Sequence, residues 1–141
     1  MIKVYLAAAF GRQAEMRQIR DEIETFSEGN EKVISSWIDV EVDDATPDTV
    51  GNADEWQHHA IKDLAEVRDA DIMVSFTDGT WARGGRHVEF GYAYANDLAL
   101  IVIGPKEHIF HSLPGVIHFE TWERFKEFSD EIRERDARQD Q

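Results

Sequence analysis

The stretch Ile2-Lys3-Val4-Tyr5-Leu6-Ala7-Ala8-Ala9 decides the fold. Apart from Lys3 it is a continuous apolar run, which is how a strand reads when both faces of a parallel sheet are covered. A half-exposed strand would alternate instead. Phe10-Gly11 breaks the run. From Arg12 onward Met16, Ile19, Ile23 and Phe26 recur at spacings of three and four, on one face of a helix. Gly29-Asn30 closes that helix. Strand, break and helix make the first part of a βαβ unit, and the chain repeats the rhythm.

Residues 33–38 read as a second strand. A helix is expected from near Asp54, with Trp56, Ala60, Leu64 and Val67 on its inner face, followed by a third strand over 71–76. Residues 77–85 form a glycine-rich loop, 86–96 a helix and 98–103 the most apolar strand, ended by Gly104-Pro105. After a short turn or helix over 108–113, residues 116–119 give a fifth strand. A last helix starts at a Thr121 N-cap and buries Trp122, Phe125 and Ile132. Five strands alternating with helices indicate a three-layer α/β domain, flavodoxin- or Rossmann-like, with a mostly parallel five-stranded sheet of order 2-1-3-4-5. Residues 1–134 are expected to form this single domain, and 135–141 a polar, fraying tail.

Composition narrows the function. The 141 residues carry 15 Lys and Arg against 29 Asp and Glu, a formal charge of −14. A nucleic-acid polymer or an anionic membrane needs a basic face, so neither is an expected partner. The acids run along the whole chain and read as a solvated surface. The most acidic stretch, 39–55, has Asp44 where a calcium-binding loop beginning at Asp39 requires glycine, so it is read as a surface loop. With no cysteine, disulfides, thiolate metal sites and a cysteine nucleophile are excluded. The opening residues read as a strand rather than a secretory signal, and a soluble cytoplasmic protein with a small-molecule ligand is expected.

In a sheet of this order, ligands sit beyond the carboxyl ends of the strands, where the order reverses between strands 1 and 3. Residues 8–12 and 77–89 flank that point. Glu89 lies near the start of the helix there, where the helix dipole favours its ionised form; such a carboxylate can act as nucleophile or base, or simply satisfy the helix end. Ala8 and Arg12 follow the first strand. Asp78, Trp81, Gly84, Gly85, Arg86 and His87 come from the opposite loop. Arg12, Arg83 and Arg86 suit a phosphate or a solvated surface equally. Trp81 suits stacking on a nucleobase, closing the pocket or a subunit contact. The histidines carry no convincing metal-site spacing: His58 and His59 are adjacent, His108 and His111 lack a placed carboxylate partner, and no metal is expected.

Three segments carry a resemblance. Tyr5-Leu6-Ala7-Ala8, then Asp63-Leu64 with Asp71-Ile72 eight residues after Asp63, then Val88-Glu89-Phe90-Gly91-Tyr92-Ala93 resemble the nucleoside 2-deoxyribosyltransferase family and its 2'-deoxynucleoside 5'-monophosphate N-glycosidase relatives. The resemblance implies an N-glycosidic transferase or hydrolase without a cofactor, acting on deoxynucleosides or their 5'-monophosphates. It implies Glu89 as the nucleophile that forms a covalent glycosyl-enzyme, Asp63 as its assistant at base or sugar, and Tyr5 as the group holding the nucleophile. It also implies a homodimer or larger homo-oligomer. The sequence departs from the family at Arg83, where Asp or Ser is common, and at Arg86-His87-Val88, which replaces a Gly-x-Gly. These departures keep open a non-catalytic nucleotide sensor of the same fold.

Overall fold

The computed structural model describes residues 1–41, 53–79 and 84–139. Its elements run β1 (Ile2–Ala7), α1 (Gln13–Phe26), β2 (Glu31–Val33), α2 (Ala53–Asp69), β3 (Ile72–Phe76), α3 (Gly85–Ala95), β4 (Ala99–Ile103), β5 (Ile117–Phe119) and α4 (Trp122–Gln139). The five strands form one sheet in the order β2-β1-β3-β4-β5, with every neighbouring pair parallel. This is the expected order. Tyr5 pairs in register with Met73, and Met73 with Leu100, so the most apolar strands lie at the centre. Among the described residues no helix is long and apolar enough to cross a membrane.

Side-chain alternation along β1 divides the layers. Val4 faces Ile23 and Phe26 of α1 and Phe125 of α4. Tyr5 faces the acids of α2 and α3. On the α1 and α4 side Trp122 stacks on Phe125, with ring centroids 4.9 Å apart, and its indole N–H donates to Glu22 at 2.8 Å. Lys126 reaches the same carboxylate at 3.1 Å, tying α4 to α1.

Several elements differ from the sequence reading, each for a visible reason. β1 stops at Ala7, and Phe10–Arg12 form a 3-10 turn before α1. The second strand is only Glu31–Val33, and Ser36–Asp39 form a 3-10 turn. Here side chains take over from the backbone: Leu6 N–H donates to Ser35 Oγ at 3.1 Å, and Trp37 Nε1 donates to Leu6 O at 2.7 Å. With both polar groups of Leu6 satisfied in this way, the chain is free to turn. Gln13 then secures the turn by donating to the carbonyls of Trp37 and Val40 at 2.8 and 2.9 Å.

Trp56, expected in the core, is 54% exposed. A helix of 17 residues is ~25 Å long and outreaches strands of ~17–20 Å, so the first turns of α2 overhang the sheet. Its contribution to the core comes from Val67 and the following Ala70. Ile132, also expected inside, is 42% exposed. α4 continues to Gln139, with the Arg133 guanidinium 4.4 Å from the centre of the Phe26 ring, and residues 140–141 of the expected tail lie outside the described residues. Its Thr121 cap is as expected, the hydroxyl accepting Arg124 N–H at 3.2 Å. Most of the acidic 39–55 stretch, residues 42–52, lies outside the described residues.

Candidate active site

β1, α2 and α3 bring three residues together that are far apart in sequence. Tyr5 is fully buried in the middle of β1, and its hydroxyl lies in the field of Glu89 from α3 and Asp63 from α2. Among the described residues, Tyr5 Oη and Glu89 Oε2 are both buried without a well-formed hydrogen-bond partner. The phenol nevertheless lies close enough to Glu89 to oppose part of the effect of its burial. These are the three residues that the resemblance singles out.

A fourth member, Glu66, was not anticipated. It stands one turn after Asp63 on α2, so both carboxyls share a helix face. Glu66 accepts Ser36 N–H at 3.0 Å and the Ser36 hydroxyl at 2.5 Å, which fixes its carboxylate against the 3-10 turn. The i, i+3 spacing of the two acids is the only signal the sequence offered.

Burial and crowding of like charge set the proton affinities. Burial, with Asp63 and Glu66 adding to it, pushes Glu89 up to about 7. Burial and then Glu66 raise Asp63 to about 6, against smaller opposing effects of His59 and Lys62. Burial first, and then Glu89 and Asp63, hold the Tyr5 phenol far above its ordinary value. The expectation that Glu89 stays ionised is therefore corrected. It lies beyond the first turn of α3, where the helix dipole fades, and desolvation prevails.

The glycine-rich loop enters α3 through Gly84, whose φ of +97° is the left-handed conformation that glycine tolerates. Its carbonyl accepts the N–H groups of His87 and Val88 at 3.1 Å each. A Cβ on Gly85 would meet open space. Arg86 points inward, 5% exposed, with Nη2 at 2.5 Å from Glu107 and 3.6 Å from Asp78. Arg12 holds Glu15 through two bonds of 2.8 Å, while its Nη1 is buried with no partner among the described residues. Ala8 packs against the edge of the core. Trp81 and Arg83 lie outside the described residues.

His87 meets His108, Nδ1 to Nε2 at 3.0 Å, and His111 lies beside them. Sequence spacing concealed this grouping, since His87 comes from α3, whereas His108 caps and His111 lies within the 3-10 turn Ile109–Ser112 after β4. Burial, with His108 and Arg86 adding to it, lowers the His87 pKa. Burial and then His108 lower His111 to about 4.

A separate cleft of about 320 Å3 opens on the α1 and α4 side, lined by Arg12, Thr77, Glu120, Trp122, Glu123 and Lys126 among others. It contains none of the Tyr5, Asp63 and Glu89 group.

The sequence matches no family model and no curated protein. Its architecture does have solved counterparts. The 2-deoxyribosyltransferase of the psychrotolerant bacterium Bacillus psychrosaccharolyticus superposes with a TM-score of 0.59 at 20% identity, covering 87% of this chain and 89% of that one. The CMP N-glycosidase BcmB of Clostridium botulinum superposes with a TM-score of 0.55 at 18% identity, covering 93% of this chain and 98% of that one. The chain thus shares the α/β fold of a 2-deoxyribosyltransferase and a CMP N-glycosidase over nearly its whole length.

Proposed function

We propose that this protein cleaves or exchanges the N-glycosidic bond of 2'-deoxynucleosides or their 5'-monophosphates. The observation that carries the reading is the buried meeting of Tyr5, Asp63 and Glu89 in a fold shared with two enzymes named for such chemistry.

The ionised Glu89 attacks C1' of the deoxyribose. A C1'–O bond forms as the C1'–N bond breaks, and the base departs with a proton from the Asp63 carboxyl. Water, or a second base, then attacks C1' and releases Glu89. The water, or the incoming base from its N–H, returns a proton to Asp63. The positive charge developing on the sugar favours ionisation of Glu89 at the moment it is needed, while the raised pKa of Asp63 keeps some acid present near neutrality. Tyr5 orients Glu89 from the floor of the site.

Arg12, paired with Glu15 and with no partner for Nη1 among the described residues, offers a contact for a 5'-phosphate. Ala8, Asp78, Gly84, Gly85 and His87 border the substrate in this reading, and Trp81 belongs to the same loop. Arg86 acts as a strut between Asp78 and Glu107. The working form is a homodimer or larger assembly, which analytical ultracentrifugation would check.

The test is chromatography of the chain incubated with the four deoxynucleosides and their monophosphates, with and without added free base, beside Glu89→Ala. Base released by the unaltered chain alone supports the reading, and a new nucleoside with added base makes it a transferase. Nucleotides that raise Tm without any base release would instead make it a sensor.

A further inference from the structure

Three histidines from two segments meet beside the first turn of α3. One nitrogen of each of His87, His108 and His111 lies within 4.8 Å of the other two. The His108 and His111 rings are 3.9 Å apart between centroids, and His87 Nδ1 is 3.0 Å from His108 Nε2. In a tetrahedral zinc site, bonds of ~2.0–2.1 Å hold ligand nitrogens roughly 3.3 Å apart. One pair already lies near that separation, and the third ring needs a shift on the order of 1 Å.

We propose that His87, His108 and His111 form a binding site for a divalent transition cation of the zinc class. The donors determine the class. Imidazole suits zinc and its neighbours, whereas magnesium and calcium take oxygen ligands. His111 is 1% exposed, and its Nδ1 accepts the Glu107 N–H at 3.0 Å, which places the proton of the neutral ring on Nε2; a metal bond to His111 therefore displaces either that proton or that hydrogen bond.

Two polar atoms of the cluster are left over. Among the described residues, His108 Nδ1 and Glu107 Oε1 are both buried with no hydrogen-bond partner. If His108 now donates from Nε2 to His87, coordination at Nε2 moves that proton to the bare Nδ1, and no net proton is lost. Glu107 supplies the neighbouring carboxylate that imidazole sites commonly carry. Asp78 and Glu107 together outweigh the one positive charge of Arg86, so the surroundings are acidic before a cation arrives. A bound cation would tie the turn after β4 to the start of α3, and this holds whatever reaction the protein performs.

The test uses the chelator-treated full chain, titrated with zinc chloride and, in parallel, magnesium chloride. Equilibrium dialysis should give one zinc per chain, and cobalt(II) should give the visible absorption of a tetrahedral nitrogen site. At zinc ~100 times Kd, the folded-to-unfolded ratio rises ~100-fold, a Tm increase of roughly 5–10 °C. His108→Gln and His87→Gln should each abolish both effects, whereas a His58→Gln/His59→Gln chain should keep them. Having two single variants on half-buried rings guards against one that fails to fold. Absence of saturable zinc binding, an equal response to magnesium, or loss of binding with the His58 and His59 replacements alone would overturn the proposal.

Discussion

Replacing Asp63 with Asn isolates the energetic consequence of gathering acids around Tyr5. Folding raises the Asp63 pKa from 3.8 to about 6, so the fold prefers the protonated carboxyl. Its contribution is fully present below the unfolded value and is withdrawn as pH rises through the folded one. A tenfold change in acidity corresponds to ~1.4 kcal/mol, which sets a ceiling of ~3 kcal/mol on the destabilisation at neutral pH. Asp63 is only part-buried and shares its field with water, so a realistic share is ~1 kcal/mol. Asn has nearly the same shape and no charge to desolvate. Asp63→Asn should therefore raise Tm by roughly 3–5 °C at about pH 8, by about a third of that at about pH 4.5, with the difference vanishing below about pH 3. The assay is thermal unfolding of both chains across that range, monitored by circular dichroism. A Tm lowered at pH 8, or a gain equal at both ends of the range, would refute the reasoning. Loss of base release in the same variant, alongside greater stability, would be the trade of stability for function expected where charges are crowded for chemistry.

Two further substitutions test the supports of the site. Arg86→Ala leaves the buried Glu107 carboxylate without its cation and should cost ~3–5 kcal/mol in urea unfolding, whereas Arg86→Met combined with Glu107→Leu should recover most of it. Gly104→Ala would bring a Cβ within 2.5 Å of Thr77 O and Oγ1 at a φ of +115°, and a loss of ~2–3 kcal/mol is expected in the same measurement.

The central strands were legible because burial on both faces leaves an uninterrupted apolar signature at β1, β3 and β4. Their order followed from the handedness of the crossovers. β2 was overextended because its continuation is made by Ser35 and Trp37 side chains, which a hydrophobic pattern cannot distinguish from strand. Trp56 was misplaced because periodicity identifies a helix face but not how far the sheet beneath it reaches. At the site, the association of Tyr5, Asp63 and Glu89 was accessible only through resemblance, since spacing alone left Glu89 as an ordinary helix-start acid. Its proton affinity was misjudged because the helix dipole is a local property, whereas desolvation by β1 and α2 is a tertiary one. The histidine cluster was hidden for the same reason.

The two outer strands of the sheet are its shortest, three residues each in β2 and β5. Just past β2, where a longer strand would have offered Leu6 to a further neighbour, Ser35 and Trp37 already occupy its N–H and carbonyl. An open row of backbone donors and acceptors is what templates edge-to-edge aggregation. This protein exposes little of such a row at either border, and its charge of −14 adds repulsion between copies. The same side chains that cut β2 short therefore also protect the folded chain from growing into a continuous intermolecular sheet.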